Sequence, residues 1–567
     1  MNRKIKNVII ILAIIIIGGL SFLTMKTAKN SISSNQKMNG GGPSSEMGTP
    51  PDMSNGERQN NGNMQKTRGE IQNAKISTIY YVAFAGETLS ISILITYLIM
   101  SNFNKKTIKE TLNKGGKIAT YVIIVIALTV GLTITQIYVT KNVLVSSSKE
   151  QTRNFDNNMQ GPGGGMNANS NVTYTATKEI TEDTTESSGT YTSTTADENG
   201  LLINGDVDVT LSNITVCKSG DSDGGDTGNF YGNNSAILAK SGANLTLKNI
   251  TVTTNASGAN GVFSYGGSAT TNNSSSDGTT VNISDSTITT TGDNAGGIMT
   301  TGGGKTIATN LTINTSGTSS AAIRTDRGGG TVTVNKGTYT TTGNGSPTIY
   351  STADITVSDA TLIAKASEGV VIEGANSVTL NNCDLTDSNT KLNGQSTTYK
   401  NIFLYQSMSG DASNGTATFT AKNSNITTNN GDTFYITNTT ATINLTNNTI
   451  VNNDSTGNFL RAQKDSWGNS GSNGGNVTLL MNSQKATGNI VIDSISTLDM
   501  TMEDGSYYEG TINGDNTAKS IALKLDSSSK IKLTGDSYVS SLEDADSSYS
   551  NIDFNGYKLY VNGTAIN

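Results

Sequence analysis

The sequence predicts an all-β region over residues 172–567, short strands coiled into a stacked tube, preceded by three transmembrane α-helices. Three observations predict it. A phrase of the form apolar–Thr–apolar–x–Asn/Asp recurs as Val209–Asn213, Leu245–Asn249, Val281–Asp285, Ile355–Asp359 and Val378–Asn382, and the first three copies start 36 residues apart. Within the phrase, Thr or Asn alternates with Val, Ile or Leu, the period-2 signature of strands with one buried face. Near the N-terminus three aliphatic runs stand apart from a chain that is only 34% hydrophobic.

A unit too short to bury its own apolar face must stack on its neighbours. The leading aliphatic positions align as Ile237, Phe263, Ile298, Ile323, Ile349, Val371, Phe403, Phe434, Phe459, Ile490 and Ile521, at spacings of 22 to 35 residues. Loops of variable length at one corner explain that spread. Each unit reads as three short strands, so the tube is three-faced and about twelve coils tall, roughly 55–60 Å at one strand spacing per coil. Each strand pairs in parallel with its equivalent in the next coil.

The Asn or Asp that closes the second strand marks a sharp corner. These residues tolerate the left-handed backbone best after Gly. Asn213, Asn249, Asp285, Asp359, Asn382 and Asn447 take that position and form a structural ladder, stacked side chains bonding along the tube. Sugar binding is the functional alternative for the same residues. Cys217 and Cys383 lie about six coils apart, beyond the roughly 7 Å between Cα atoms that a disulfide tolerates, so two unpaired thiols are expected.

Val8–Leu23 follows Arg3, Lys4 and Lys6 and reads as an uncleaved signal anchor, with a signal peptide as the alternative. Ile79–Met100 and Ile118–Thr140 each have the roughly 20 residues needed to cross a bilayer. Their connection carries Lys105, Lys106, Lys109, Lys114 and Lys117, and lysine-rich short loops stay cytoplasmic. This places the N-terminus inside, at the plasma membrane, and the tube outside. The domains are then 1–24 (anchor), 25–77 (a disordered extracellular loop rich in Gly, Asn, Met and Pro), 78–141 (helical hairpin), 142–171 (spacer) and 172–567 (tube). Glu87 falls inside the second span, where an acid is either functional or placed near the outer interface facing Thr or Ser of the third span. Met38, Met47, Met53 and Met64 in the loop admit copper(I), but their spacing is irregular and no Cys or His accompanies them.

Residues 172–567 resemble the right-handed parallel β-helix architecture shared by pectate-lyase-like enzymes and adhesin-like bacterial surface proteins. The segments Asn229–Ala236 and Gly261–Gly266, and the ending Gly556–Gly563, are similar to those of clostridial-type membrane-anchored β-helix proteins. The resemblance implies carbohydrate binding or, on the same fold, a polysaccharide lyase or glycoside hydrolase. Fold by itself does not decide between these.

Charge and chemistry narrow the choice. Residues 1–150 hold seventeen Lys/Arg against seven Asp/Glu, whereas the remainder carries a net charge of −17. An acidic ectodomain has no means of neutralising phosphates, which excludes nucleic acid as partner. The chain contains no histidine, the commonest general base, so the reading leans away from catalysis and no catalytic residue is assigned. For a lyase, Arg324, Asp326 and Arg327 form the densest charged cluster of the mid-tube. For hydrolysis, Asp354 or Asp359 could pair with Glu368 or Glu373, within the roughly 5–10 Å such acids need. No cofactor is expected apart from a structural calcium, for which Asp221, Asp223 and Asp226 on a glycine-rich loop offer oxygens; a solvated acidic loop is the alternative. Tyr231, Tyr265 and Trp467 are the aromatic candidates for stacking on a sugar, with Arg324 and Arg327 as polar ligand contacts; loop cover is the bland reading of the rings. The expected function is adhesion or binding to carbohydrate or other extracellular polymers at the cell surface. Enzymatic processing is the alternative, and a passive envelope spacer the third reading.

Overall fold

The computed structural model describes residues 13, 17, 21, 24, 78–103, 122–126, 128–130, 132, 133, 135, 172–222, 227–267, 276–394 and 396–567. It divides into two compact units, Met1–Pro162 and Gly163–Asn567. The division falls within the spacer read from the sequence.

In the first unit, Thr78–Phe103 is a 26-residue α-helix, covering the second predicted span. Phe84, Thr88, Ser92 and Thr96 are buried, while Leu89 and Ile93 are exposed, as are Ile123 and Ile126 of the third segment. Spacing by four puts the buried hydroxyls on one helix face. Each bonds the carbonyl one turn back: Thr88 to Phe84, Ser92 to Thr88 and Thr96 to Ser92, all at 2.7 Å. Thr88 also pairs with Thr133 at 2.7 Å. Glu87 accepts a 2.6 Å bond from Thr24. Among the described residues no helix is long and apolar enough to cross a membrane. The first span and the 25–77 loop, with its four methionines, lie largely or wholly outside the described residues.

The second unit is a parallel β-solenoid. Its first face is a 12-stranded sheet running from Ala176–Ile180 to Ile490–Ile492. The second and third faces merge into a 22-stranded sheet, because Gly304–Thr315 and Gly330–Thr341 run unbroken through the corner between them. The twelve expected coils match the first face. The second face continues through Ser520–Leu525 and Ser541–Asp544, and the third through a further four-stranded sheet. The end is closed by Leu559–Val561 and Thr564–Ala565, which pair antiparallel.

Registry confirms coil-on-coil stacking. Val209 lies over Leu245, then Val281, Thr306, Val332, Ile355 and Val378, all buried. The one hydroxyl in this aliphatic column, Thr306, pairs with Thr300 at 2.7 Å, which removes the penalty of burying it bare. The corner residues Asn213, Asn249, Asp285, Asp359, Asn382 and Asn447 all have φ between 49° and 55°. Asn249 donates to Asn213 at 2.6 Å and Asn382 to Asp359 at 2.5 Å. Asn310 and Asn423, not singled out in the sequence, share this geometry and bond Asp285 and Asn447 in turn, at 2.9 and 2.8 Å.

The first-face alignment needs correction. Ile237 pairs with Val262, not Phe263; the column continues through Val370, Ile402 and Leu460 rather than Val371, Phe403 and Phe459. Ile521 belongs to the second face, over Leu498. The cause is physical. This sheet is apolar on both sides, and a strand buried on both sides loses the alternation that fixes its register.

The third corner carries a buried column that is polar except at Ala364: Lys218, Thr254, Thr290, Thr315, Thr341, Ala364, Asp387 and Thr428. Thr254 and Thr290 donate to carbonyls five residues on, at 2.8 and 2.5 Å. Lys218 donates to the carbonyls of Thr195 and Gly220, at 2.7 and 2.6 Å, and burial pushes its pKa down to about 8. Asp387 takes a threonine's place in the column. Neither carboxyl oxygen has a partner, and burial pushes its pKa up to about 9. At that pKa the acid is uncharged at pH 7.

Candidate functional site

The outer side of the first face would be an open apolar sheet if nothing lay on it. Leu202, Leu238, Phe263 and Met299 form one patch and Val371, Phe403, Tyr405 and Tyr435 another, both buried. Inserted loops cover them. The short helix Thr227–Tyr231 brings Tyr231 edge-on to Tyr265, with ring centroids 5.7 Å apart; Tyr174 and Tyr265 pack on the first patch. Trp467, from the loop after Leu460–Ala462, packs on the second, 5.3 Å from both Phe403 and Tyr405. The three aromatics named as sugar-stacking candidates thus lie in two separate covers.

Between the patches sit the charged candidates. Arg324 pairs with Asp326 at 2.9 Å and reaches Asn229 at 3.3 Å. Arg327 pairs with Asp411 at 2.6 Å and lies 4.0 Å from the centroid of the Phe230 ring. Both guanidinium groups hold a cover loop to the sheet. Burial pushes Asp326 up to about 6, with Arg324 opposing. Glu373 is 1% exposed. It accepts from Tyr350 at 2.6 Å, from Tyr405 at 3.2 Å and from Ser407, and burial raises its pKa.

Glu368 and Lys400 are 3.8 Å apart, Lys400 pairs in register with Asp432, and Asp432 bonds Arg461 at 2.6 Å. Opposite charges thus alternate up one edge of the face, where like charges on neighbouring strands would repel. Of the hydrolytic pairs considered, Asp359 is committed to the corner ladder and Glu373 is closed off beneath Tyr350 and Tyr405.

Depressions open among these groups. A polar hollow of about 400 Å³ lies where residues 406–415 arch back to Arg327; Gly328, Gly329, Asp354, Asn376, Asp411 and Ser413 are among its lining residues. Gly328 and Gly329, at φ 88° and 65°, give a floor without side chains. A smaller one of about 70 Å³ opens beside Trp467, against Tyr350, Glu368, Val371, Phe403 and Tyr405. Asp411, Asn376, Tyr350, Phe403 and Tyr405 were not marked as site residues. The loops that gather them are Gly-, Asn- and Ser-rich, and nothing in such a composition says where a loop lands.

The third face is the opposite case. Thr215, Thr251, Thr287, Thr312, Thr338 and Thr361 lie one over another in register. Thr253 and Thr289 begin a second column beside them. Thr251, Thr287, Thr312 and Thr338 are exposed.

Asp221 accepts a 2.8 Å bond from the Ser257 amide; Asp223 and Asp226 lie outside the described residues. Among those described, no cluster of three His, Cys, Asp or Glu could hold a metal ion. Cys217 and Cys383 are both free thiols. No protein family, curated protein or solved structure matches the chain.

Proposed function

We propose that the protein is a membrane-anchored surface protein whose solenoid binds carbohydrate or a related extracellular polymer along its third face. The in-register threonine columns carry this reading. Strands one coil apart lie about 4.8 Å from each other, so the face offers evenly spaced, uncharged hydroxyls on a rigid sheet. Each hydrogen bond to such a hydroxyl is weak, and a repeating ligand engages many at once. The first unit supports the anchor. Hydroxyls inside and aliphatic side chains outside is the arrangement that suits a lipid environment, and the lysine-rich connection keeps its loop cytoplasmic.

The test is co-sedimentation of the Gly163–Asn567 unit, which has its own continuous core, with insoluble neutral and acidic polysaccharides. We expect capture by a neutral polymer and loss of capture in Thr287→Lys/Thr312→Lys with unchanged melting. Capture by none of them would refute the binding reading. The hollow gives the enzyme alternative its one foothold, because Asp354 and Asp411 both line it. New reducing ends or unsaturated sugars, abolished by Asp354→Ala, would favour processing over adhesion.

A further inference from the structure

The third face carries more order than one column of hydroxyls. Its first outer column extends a coil further than Thr215, to Thr190 beneath it. From there it rises through Thr251, Thr287, Thr312 and Thr338 to Thr361. Two residues on along each strand stands a second outer column: Thr192, Cys217, Thr253, Thr289, Asn314, Thr340 and Ile363. The strands that begin at Thr190, Thr251, Thr287 and Thr338 place threonine in both columns. No member of either column is charged. The array ends above Thr361, where Asp384 follows in register.

The backbone fixes both repeats of this array. Strands one coil apart lie about 4.8 Å from each other, and residues two apart along a strand about 6.6–6.8 Å. The first distance runs along the tube and the second across it. The array is held from beneath by the residues between its columns. Val216, Val252, Ile288, Ile313, Tyr339 and Leu362 are all 0% exposed. Threonine is stiff at χ1, which limits the directions its hydroxyl and methyl can take. Thr190, Thr192, Thr251, Thr253, Thr287, Thr312 and Thr338 are exposed. Among the described residues none bonds the hydroxyl of Thr251, Thr287, Thr312 or Thr338, whereas the buried Thr254 and Thr290 hydroxyls are both committed to carbonyls.

The second dimension selects the ligand. A flexible chain needs one line of contacts. A net of hydroxyls and methyls at two fixed spacings suits a ligand that is itself a two-dimensional lattice. The prism face of hexagonal ice is such a lattice. Its oxygens repeat in two perpendicular directions at distances close to these, and a threonine hydroxyl donates and accepts as a water molecule does. Charged side chains would keep their own hydration shells, and the columns hold none. Each contact is weak, but the array engages many at once.

We propose that the third face binds ice, through the column from Thr190 to Thr361 and the column from Thr192 to Ile363 together. This is the face assigned to a polymer, but the proposal does not rest on that reading: a polymer can follow one column, and ice needs both. The Gly163–Asn567 unit, which has its own continuous core, is mixed with a soluble control protein of similar mass and frozen slowly at small supercooling. Both proteins are then assayed in the ice and in the remaining liquid. We expect the unit to be enriched in the ice at least about tenfold over the control. Thr253→Lys/Thr340→Lys leaves the first column in place and should fall to the control's level, with unchanged circular dichroism melting. Exclusion of the wild-type unit from the ice, a result that needs no variant, would overturn the proposal. Equal enrichment of variant and wild type would also overturn it, because another surface would then hold the ice. Polymer capture on the same preparation separates the two readings. Capture without ice enrichment sinks this proposal alone, and ice enrichment without capture sinks the polymer reading alone.

Discussion

The first and third faces belong to the same coils and make the same parallel pairings, yet they use their outer sides in opposite ways. On the third face one outer column is threonine through six coils, Thr215 to Thr361, and its middle four residues are open to solvent. On the first, Leu202, Leu238, Phe263, Met299, Val371, Phe403, Tyr405 and Tyr435 are buried in two patches under inserted loops. The difference teaches where a solenoid can build a specific site. A repeating face repeats its chemistry and suits a repeating ligand. A pocket with one of each group needs the repeat broken, and the insertions at residues 388–399, 406–415 and 463–474 break it.

The comparison can be broken hardest at the shared lining. Leu380 is fully buried between Val357 and Ala421, and Leu380→Ala should cost about 2–5 kcal/mol. Thr312→Ala, one side chain outward on the third face, should change stability by less than about 0.5 kcal/mol. Urea midpoints of the two variants measure both; similar midpoints would mean that the lining is not the core.

Asp387 provides the next largest effect. Its pKa in the fold is about 9, against about 3.9 for a free aspartate. Between those values the folded chain holds a proton that the unfolded chain has released. The stability is therefore fully present below about pH 4 and is lost progressively as pH rises towards 9. Asp326, pushed up to about 6, and Glu373, also raised, act in the same direction. Asp387→Thr restores the column's usual residue. It should raise stability at pH 7 by a few kcal/mol, on the order of 2–4, and flatten the fall between pH 5 and 9. A slope identical to wild type would mean that Asp387 is ionised in the fold.

At the corner, Asn382→Leu places a branched side chain at φ 54° and removes the bond to Asp359. We expect a loss of about 1–2 kcal/mol, read by thermal melting, with polymer binding at the third face intact. The smallest effect is chemical. Burial raises the Cys383 thiol's pKa, so in native protein it should resist alkylation while half-buried Cys217 reacts slowly; denaturation should expose both.

The contrast between faces also explains what the sequence made legible. Val209, Leu245 and Val281 alternate cleanly with Thr and Asn, so the second-face register and the left-handed corners at Asn213, Asn249 and Asp285 are readable by eye. Val262–Phe263, Val370–Val371 and Ile402–Phe403 are doubly apolar, and the choice between neighbours is settled only by what packs outside. Arg324 and Arg327 stood out as charges in a poor background, but their partners Asn229 and Asp411 lie 95 and 84 residues away. Such pairings depend on how a loop folds back, which no local pattern encodes. Lys400 and Asp387 gave no signal, because a charge in a polar loop and one buried in a corner look alike in a sequence.

The coil-on-coil register is the claim on which the threonine columns, the corner ladder and both depressions depend. It is tested most directly by paired cysteines on the third face, in a Cys217→Ser, Cys383→Ala background. Thr287 and Thr312 are register partners on adjacent coils, and strands about 4.8 Å apart fall within the Cα separation a disulfide accepts. Thr287 and Thr338 are two coils apart, at roughly 9.6 Å. Mild oxidation should link Thr287→Cys to Thr312→Cys within one chain and leave Thr287→Cys with Thr338→Cys unlinked. Efficient linkage of the second pair, or none of the first, would contradict the stacking.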